Sequence, residues 1–171
     1  TIQALDIYNS GKDELGIARC QNLLGLYYKG VNEYEKAIEY FESSLNLGKK
    51  IEKTSLVGSI LNDVGSMYAE MGDTIKAIQI YNEAVPYHKS NGRNFKSGTF
   101  ELTLADLYVQ NGKLQKASPH LKQGFEIASD LNSKRLLRDY YRILADYEIK
   151  KNNKSNALIA YQKLQAYVDS V

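Results

Sequence analysis

The chain has no tryptophan, one cysteine, two prolines and two histidines among its 171 residues. A lone cysteine, Cys20, excludes an internal disulfide and a cysteine zinc cluster. It suits the cytoplasm and a disulfide-free periplasmic domain equally, so localisation stays open between the two. His88 and His120 have no neighbouring set of His, Cys or carboxylate groups at metal-ligand spacing, and no metal is expected. No apolar run is long enough to span a bilayer. Neither sign of charge dominates: 22 basic residues stand against 20 acidic ones, a net charge of +2. That balance gives no case for nucleic-acid contact or for an anionic membrane surface. No signal peptide is visible, and the chain starts at Thr1 rather than Met, which reads as a mature or excised form.

Catalytic constellations are missing as well. Gly11-Lys12 and Gly48-Lys49 lack the second glycine and the Ser/Thr of a phosphate-binding loop. No Ser or Cys nucleophile motif occurs, and most carboxylates fall on helix faces that point to solvent. Asn153-Lys154-Ser155 matches a glycosylation sequon but carries no weight alone. The chain reads as non-enzymatic and cofactor-free.

What is present is a period of 40 residues, four times over. Leu24-Gly25-x-x-Tyr28, then Ala37 and Phe41, becomes Val64-Gly65-x-x-Tyr68, Ala77 and Tyr81 after a shift of 40. The next frames read Leu104-Ala105-x-x-Tyr108, Ala117 and Leu121, then Leu144-Ala145-x-x-Glu148, Ala157 and Tyr161. A fixed period of this size means stacked supersecondary units, each unable to bury its apolar face alone. Apolar spacing within a unit is helical on both sides of a Gly/Asn break, so each unit is two helices. The breaks are Gly30-Val31-Asn32, Met71-Gly72-Asp73, Asn111-Gly112-Lys113 and Lys151-Asn152-Asn153; Gly and Asn accept a left-handed helix stop. Turns between units are expected near Gly48-Lys49, Ser90-Asn91-Gly92 and Leu131-Asn132-Ser133. First helices are predicted near 14–29, 53–71, 94–110 and 134–150, and second helices near 33–48, 74–90, 114–130 and 154–168. Gly25, Gly65, Ala105 and Ala145, with Ala37, Ala77, Ala117 and Ala157, should be buried where paired helices cross. The large residue at Phe41, Tyr81, Leu121 or Tyr161 should fill the space toward the next unit. Pro119 falls early in a helix, whereas Pro86 falls inside one and should bend it. The 14 tyrosines are chiefly packing residues between helices.

The spacing L-G-x2-Y…A-x3-F resembles the tetratricopeptide repeat, in a longer-helix variety with period 40 rather than 34. The resemblance implies an all-α fold: an α-solenoid, a right-handed superhelix of antiparallel helix pairs. One array would fill 1–171, divided as a remnant helix 1–11 and repeats 12–51, 52–91, 92–131 and 132–171. Ala4, Ile7 and Tyr8 would belong to that remnant, so the array begins mid-repeat and implies a longer parent. The ending Tyr161-Gln-Lys-Leu-Gln-Ala-Tyr167-Val-Asp169-Ser170-Val171 is similar to the last repeat helix of Bacteroidetes sensor proteins. That likeness implies a signalling parent with a histidine-kinase or DNA-binding output.

In tetratricopeptide arrays the first helix of each unit lines a concave, peptide-binding groove. Carried over, the groove positions are Arg19, Asn22, Leu26, Lys29 and Gly30, then Ser59, Asn62, Ser66, Ala69 and Glu70. The third unit supplies Thr99, Leu102, Asp106, Val109 and Gln110, and the fourth Asp139, Arg142, Asp146, Ile149 and Lys150. Asn22 and Asn62 suit a peptide backbone because a side-chain amide both donates and accepts. Thr99 and Thr103 replace the basic residues that a chaperone-tail carboxylate clamp needs. The resemblance thus implies a protein- or peptide-binding module, the sensory or scaffold part of a signalling or regulatory protein. The alternative is an assembly scaffold that self-associates, including as a homodimer, or packs on its own output domain.

Overall fold

The computed structural model describes residues 13–89, 92 and 94–168. The expected remnant helix at 1–11 lies outside them. The described residues form eight α-helices and no strand: α1 Glu14–Gly30, α2 Tyr34–Lys50, α3 Thr54–Glu70, α4 Thr74–Lys89, α5 Phe95–Gln110, α6 Leu114–Asp130, α7 Lys134–Lys150 and α8 Lys154–Val168. The helix limits fall within two residues of those predicted. Two compact units divide the chain, Thr1–His88 and Lys89–Val171. In the first, α1 packs on α2 and α3, and α2 on α3. In the second, α5 packs on α6 and α7, α6 on α7, and α7 on α8.

Each hairpin stop has the same mechanism. Asn32, Gly72, Gly112 and Asn152 take φ of 61°, 80°, 70° and 59°, one repeat apart. The next amide then returns to a carbonyl five residues back, at 2.9 Å for Glu33 to Tyr28, Asp73 to Tyr68, Lys113 to Tyr108 and Asn153 to Glu148. This is the Schellman closure, which satisfies carbonyls the helix end would leave open. The turns between successive repeats do the same at Glu52 and Asn132, with φ of 55° and 47°. Glu52 is the surprise there. The turn expected at Gly48-Lys49 is displaced, because Gly48 is buried inside α2, where an added Cβ would lie 3.3 Å from Val57. That glycine serves close packing of α3 and leaves the left-handed position to a glutamate.

Small residues do mark the helix crossings. Ala37, Ala77, Ala105, Ala117 and Ala145 are fully buried, and Gly25, Gly65 and Ala157 are also buried. The large partner is placed differently from expectation: it lies over the small residue of its own hairpin. A Cβ on Gly25 would meet the Phe41 ring at 2.6 Å, and one on Gly65 the Tyr81 ring at 2.7 Å. Where the third repeat has Ala105, it has the slimmer Leu121. The fourth combines Ala145 with Tyr161, and Tyr161 is 44% exposed. Pro86 stands within α4 without ending it, and Pro119 within α6.

Two outcomes follow. Gly65→Ala should cost roughly 1–3 kcal/mol by overpacking. Added to Tyr81→Leu, which reproduces the Ala105/Leu121 pairing, it should cost clearly less; a urea-denaturation double-mutant cycle reads the coupling. Glu52→Gly should raise stability by about 0.5–1 kcal/mol, since a left-handed conformation strains any residue with a Cβ. An unchanged or lower urea midpoint for Glu52→Gly would refute that account.

Candidate functional site

Four helices matter here: α1 and α3 in the first unit, α5 and α7 in the second. Three of them begin on a side-chain cap, with Asp13 accepting from the Gly16 amide at α1 and Ser133 from that of Leu136 at α7, whereas α3 follows Lys53 without one. Asn94 and Ser97 close a reciprocal capping box at the start of α5.

On α1 and α3 the predicted groove residues meet one another. Lys29 Nζ donates to Ser66 Oγ at 2.7 Å and pairs with Glu70 at 2.9 Å, while Ser66 Oγ donates to Glu70 at 3.1 Å. Asn22 Nδ2 donates to Asp63 at 3.3 Å, and its Oδ1 is buried with no protein partner. Burial, with Asp63 and Glu70 adding negative charge, pushes the Tyr81 phenol well above its usual range. Leu26, Ser59 and Asn62 are half-buried on these helices, and Arg19 is exposed. Sequence reasoning missed Asp63, although its offset of 41 from Asn22 is one residue from the repeat length.

On α5 and α7 the arrangement is a cavity of about 110 Å³. Thr99, Leu102, Thr103 and Asp106 line it from α5, and Asp139, Arg142 and Ile143 from α7. Arg142 Nη2 donates to Asp106 at 2.7 Å, and Nη1 lies 3.9 Å from Asp146. Burial works against the Arg142 charge, but Asp106, then Asp146 and Asp139, outweigh it and hold the guanidinium above its ordinary value. Leu102 is almost fully buried and forms floor rather than rim. Val109 is buried in the core, so it does not offer a groove surface. Gln110 contributes its carbonyl, which accepts from Lys150 at 3.1 Å. Asp146 is half exposed and Ile149 is exposed. Ile143 was not singled out by the repeat frame, since its position in the other units carries Leu23, Asp63 and Thr103.

Two carboxylates are buried away from this face. Glu101 meets His120 at 2.7 Å, beneath a Tyr108–His120 stack. Glu148 replaces the repeat tyrosine, and one of its oxygens has no partner.

Paired helices of 15–17 residues, Schellman turns one repeat apart and a polar seam between first helices define an α-helical repeat protein of tetratricopeptide type. Within that class, the chain belongs to the soluble NSF attachment protein (SNAP) family, whose model matches residues 24–168. It is 26% identical over 124 residues to the transcriptional activator NprA of Geobacillus stearothermophilus, covering 72% of this chain and 30% of that protein. Among solved structures, BtubC (BKLC) from P. vanneervenii superposes with a TM-score of 0.83 at 17% identity, covering 99% of this chain and 69% of that one. A Rap protein complexed with competence and sporulation factor matches with a TM-score of 0.68 at 19% identity, over 98% of this chain and 57% of that one. The chain spans about a third of the length of the sequence relatives it matches. Among the described residues no helix is long and apolar enough to cross a membrane.

The Lys29–Glu70 pair opens to solvent on its acidic side, with the Glu70 side chain 54% exposed and that of Lys29 15% exposed. A double-mutant cycle on Lys29→Met and Glu70→Gln should therefore give a coupling under about 1 kcal/mol. That coupling should shrink as salt rises from about 0.05 M to 0.5 M, because exposed charges are screened. A larger, salt-independent value would mean the pair is not solvated.

Proposed function

We propose that this chain is a non-catalytic protein- or peptide-binding module, the sensory or scaffold region of a larger regulatory protein. The observation that carries the reading is the α5–α7 cavity, which unites Thr99, Leu102, Asp106 and Arg142. These are positions that the tetratricopeptide frame assigns to ligand contact. Asn62 supports it from the first unit: it is half-buried, and no hydrogen bond ties its amide to the described residues. Within the second unit Gln110 and Asp146 extend the proposed surface; within the first, Arg19, Asn22, Leu26, Lys29, Ser59, Ser66 and Glu70 make a proposed surface of their own on α1 and α3. The regulatory setting draws on the kind of relatives the chain has: a transcriptional activator, and a Rap protein solved in complex with competence and sporulation factor.

An assembly role is the second reading. It is favoured by the apolar side chains that α8 leaves open, Leu158 at 60%, Tyr161 at 44% and Val168 at 49% exposure.

The two separate by titration of a peptide selected on the chain by display. Asn22→Ala with Asn62→Ala should weaken it at least about tenfold, each lost hydrogen bond costing roughly 0.5–1.5 kcal/mol. Helical content should not change. Unchanged affinity in the folded double variant would move the binding site off these helices and leave the assembly reading ahead.

A further inference from the structure

The two compact units carry opposite charge. Residues 89–171 hold 14 Lys and Arg against 8 Asp and Glu, whereas residues 1–88 hold 8 against 12. The contrast is clear where the hairpins turn. In the first unit the lysines at those turns have acids of their own. Lys29 pairs with Glu70 at 2.9 Å, and Lys36 pairs with Glu33. Lys76 lies 4.4 Å from the Tyr68 ring centre, where Asp73 adds negative charge. In the second unit the repeat position of Glu33 and Asp73 carries Lys113, and that of Glu70 carries Lys150. Lys116, Lys151 and Lys154 belong to the same two turns, and all five lysines are exposed. Lys150 Nζ donates to the Gln110 carbonyl at 3.1 Å, which brings the α5–α6 and α7–α8 turns together. Lys151 reaches the buried Glu148 at 3.7 Å, and no ion pair ties Lys113, Lys116 or Lys154 among the described residues.

Five ammonium groups on two adjacent turns repel one another, and an anionic partner gains by relieving that repulsion. We infer that this turn surface docks an acidic segment of a partner polypeptide. The side chains among the lysines decide the class of partner. Ile149 is 50% exposed beside Lys150, and Tyr147 is half-buried with Lys151 5.2 Å from its ring centre. Charge mixed with apolar and aromatic contact suits a protein interface. The patch is also narrow: α5 and α7 pack on each other, so their ends lie about 10 Å apart. A bilayer or a nucleic-acid duplex presents charge over a wider front than two turns can match. This surface is separate from the groove proposed above and shares only Lys150 with the groove positions.

The test uses the full chain, 15N-labelled, and capped octapeptides that alternate alanine with glutamate, glutamine or lysine. The glutamate peptide should shift the amides of residues 111–116 and 149–154. It should bind at least about fivefold tighter than the glutamine peptide, since several exposed charge pairs are at stake. Its affinity should fall as salt rises from about 0.05 M to 0.3 M. Lys113→Gln with Lys154→Gln should remove most of the preference; neither lysine holds an ion pair, so loss of fold is not an explanation. Lys36→Gln with Lys76→Gln, on the matching turns of the first unit, should leave it unchanged. Equal binding of the glutamate and glutamine peptides, tighter binding of the lysine peptide, or equal losses in the two double variants would overturn the inference. Vesicles of phosphatidylserine with phosphatidylcholine, and a short DNA duplex, are titrated alongside. If either shifts the same amides at a lower concentration of negative charge than the glutamate peptide, the polypeptide assignment falls.

Discussion

Everything else in this molecule depends on how closely two helices of a hairpin can approach. Gly25 under the Phe41 ring and Gly65 under the Tyr81 ring leave no room for even one carbon. In the first two hairpins a ring lies on a glycine, while the third has alanine and leucine at the same repeat positions, both buried. Protein interiors are packed to crystal-like density, so a change of one partner is felt by the other. Once the crossing is set, the first helices lie at fixed distance from their neighbours, and their side chains can reach across. Lys29 to Ser66 and Arg142 to Asp106 are separated by 37 and 36 residues in sequence but share a hydrogen bond.

Those bonds span successive first helices on the face proposed for ligand contact. Stability and recognition therefore draw on the same side chains. Arg142 illustrates the overlap: it is half exposed, held by Asp106, and part of a cavity wall. The first unit shows a different balance. Its polar groups are mostly consumed internally, through Lys29, Ser66 and Glu70, while Asn62 remains available.

Much of the fold was legible from residue spacing. The period gave the helices, and Asn32, Gly72, Gly112 and Asn152 gave the hairpin stops, because only a few residue types accept the left-handed conformation. Gly48 was misleading for the same reason. A glycine can mark a chain reversal or a close helix contact, and only the approach of Val57 shows that it is the second. Glu52 could not be read at all, since glutamate is a poor choice for its conformation. The ring positions were half legible: that Phe41 and Tyr81 were large and buried followed from the repeat, but the direction of the rings depends on rotamers. At the candidate site, the shared face of Thr99, Leu102, Asp106 and Arg142 followed from the frame. That they enclose a cavity did not, because it depends on Ile143 and on how far Leu102 sinks into the core.

The even placement of the left-handed turns has a consequence for how such a sequence can change. In the described hairpins, most helices are 17 residues long and end on a φ-positive residue a full repeat from the last. An inserted residue inside a helix rotates everything beyond it by about 100°. That would carry Ala77 off its crossing and bring a solvent-facing neighbour into it. Insertions and deletions are thus confined to the short turns, whereas substitutions on the first-helix face leave the frame untouched. The scaffold is rigid toward length and permissive toward surface chemistry, which is the combination that lets one architecture acquire new ligands by point changes alone.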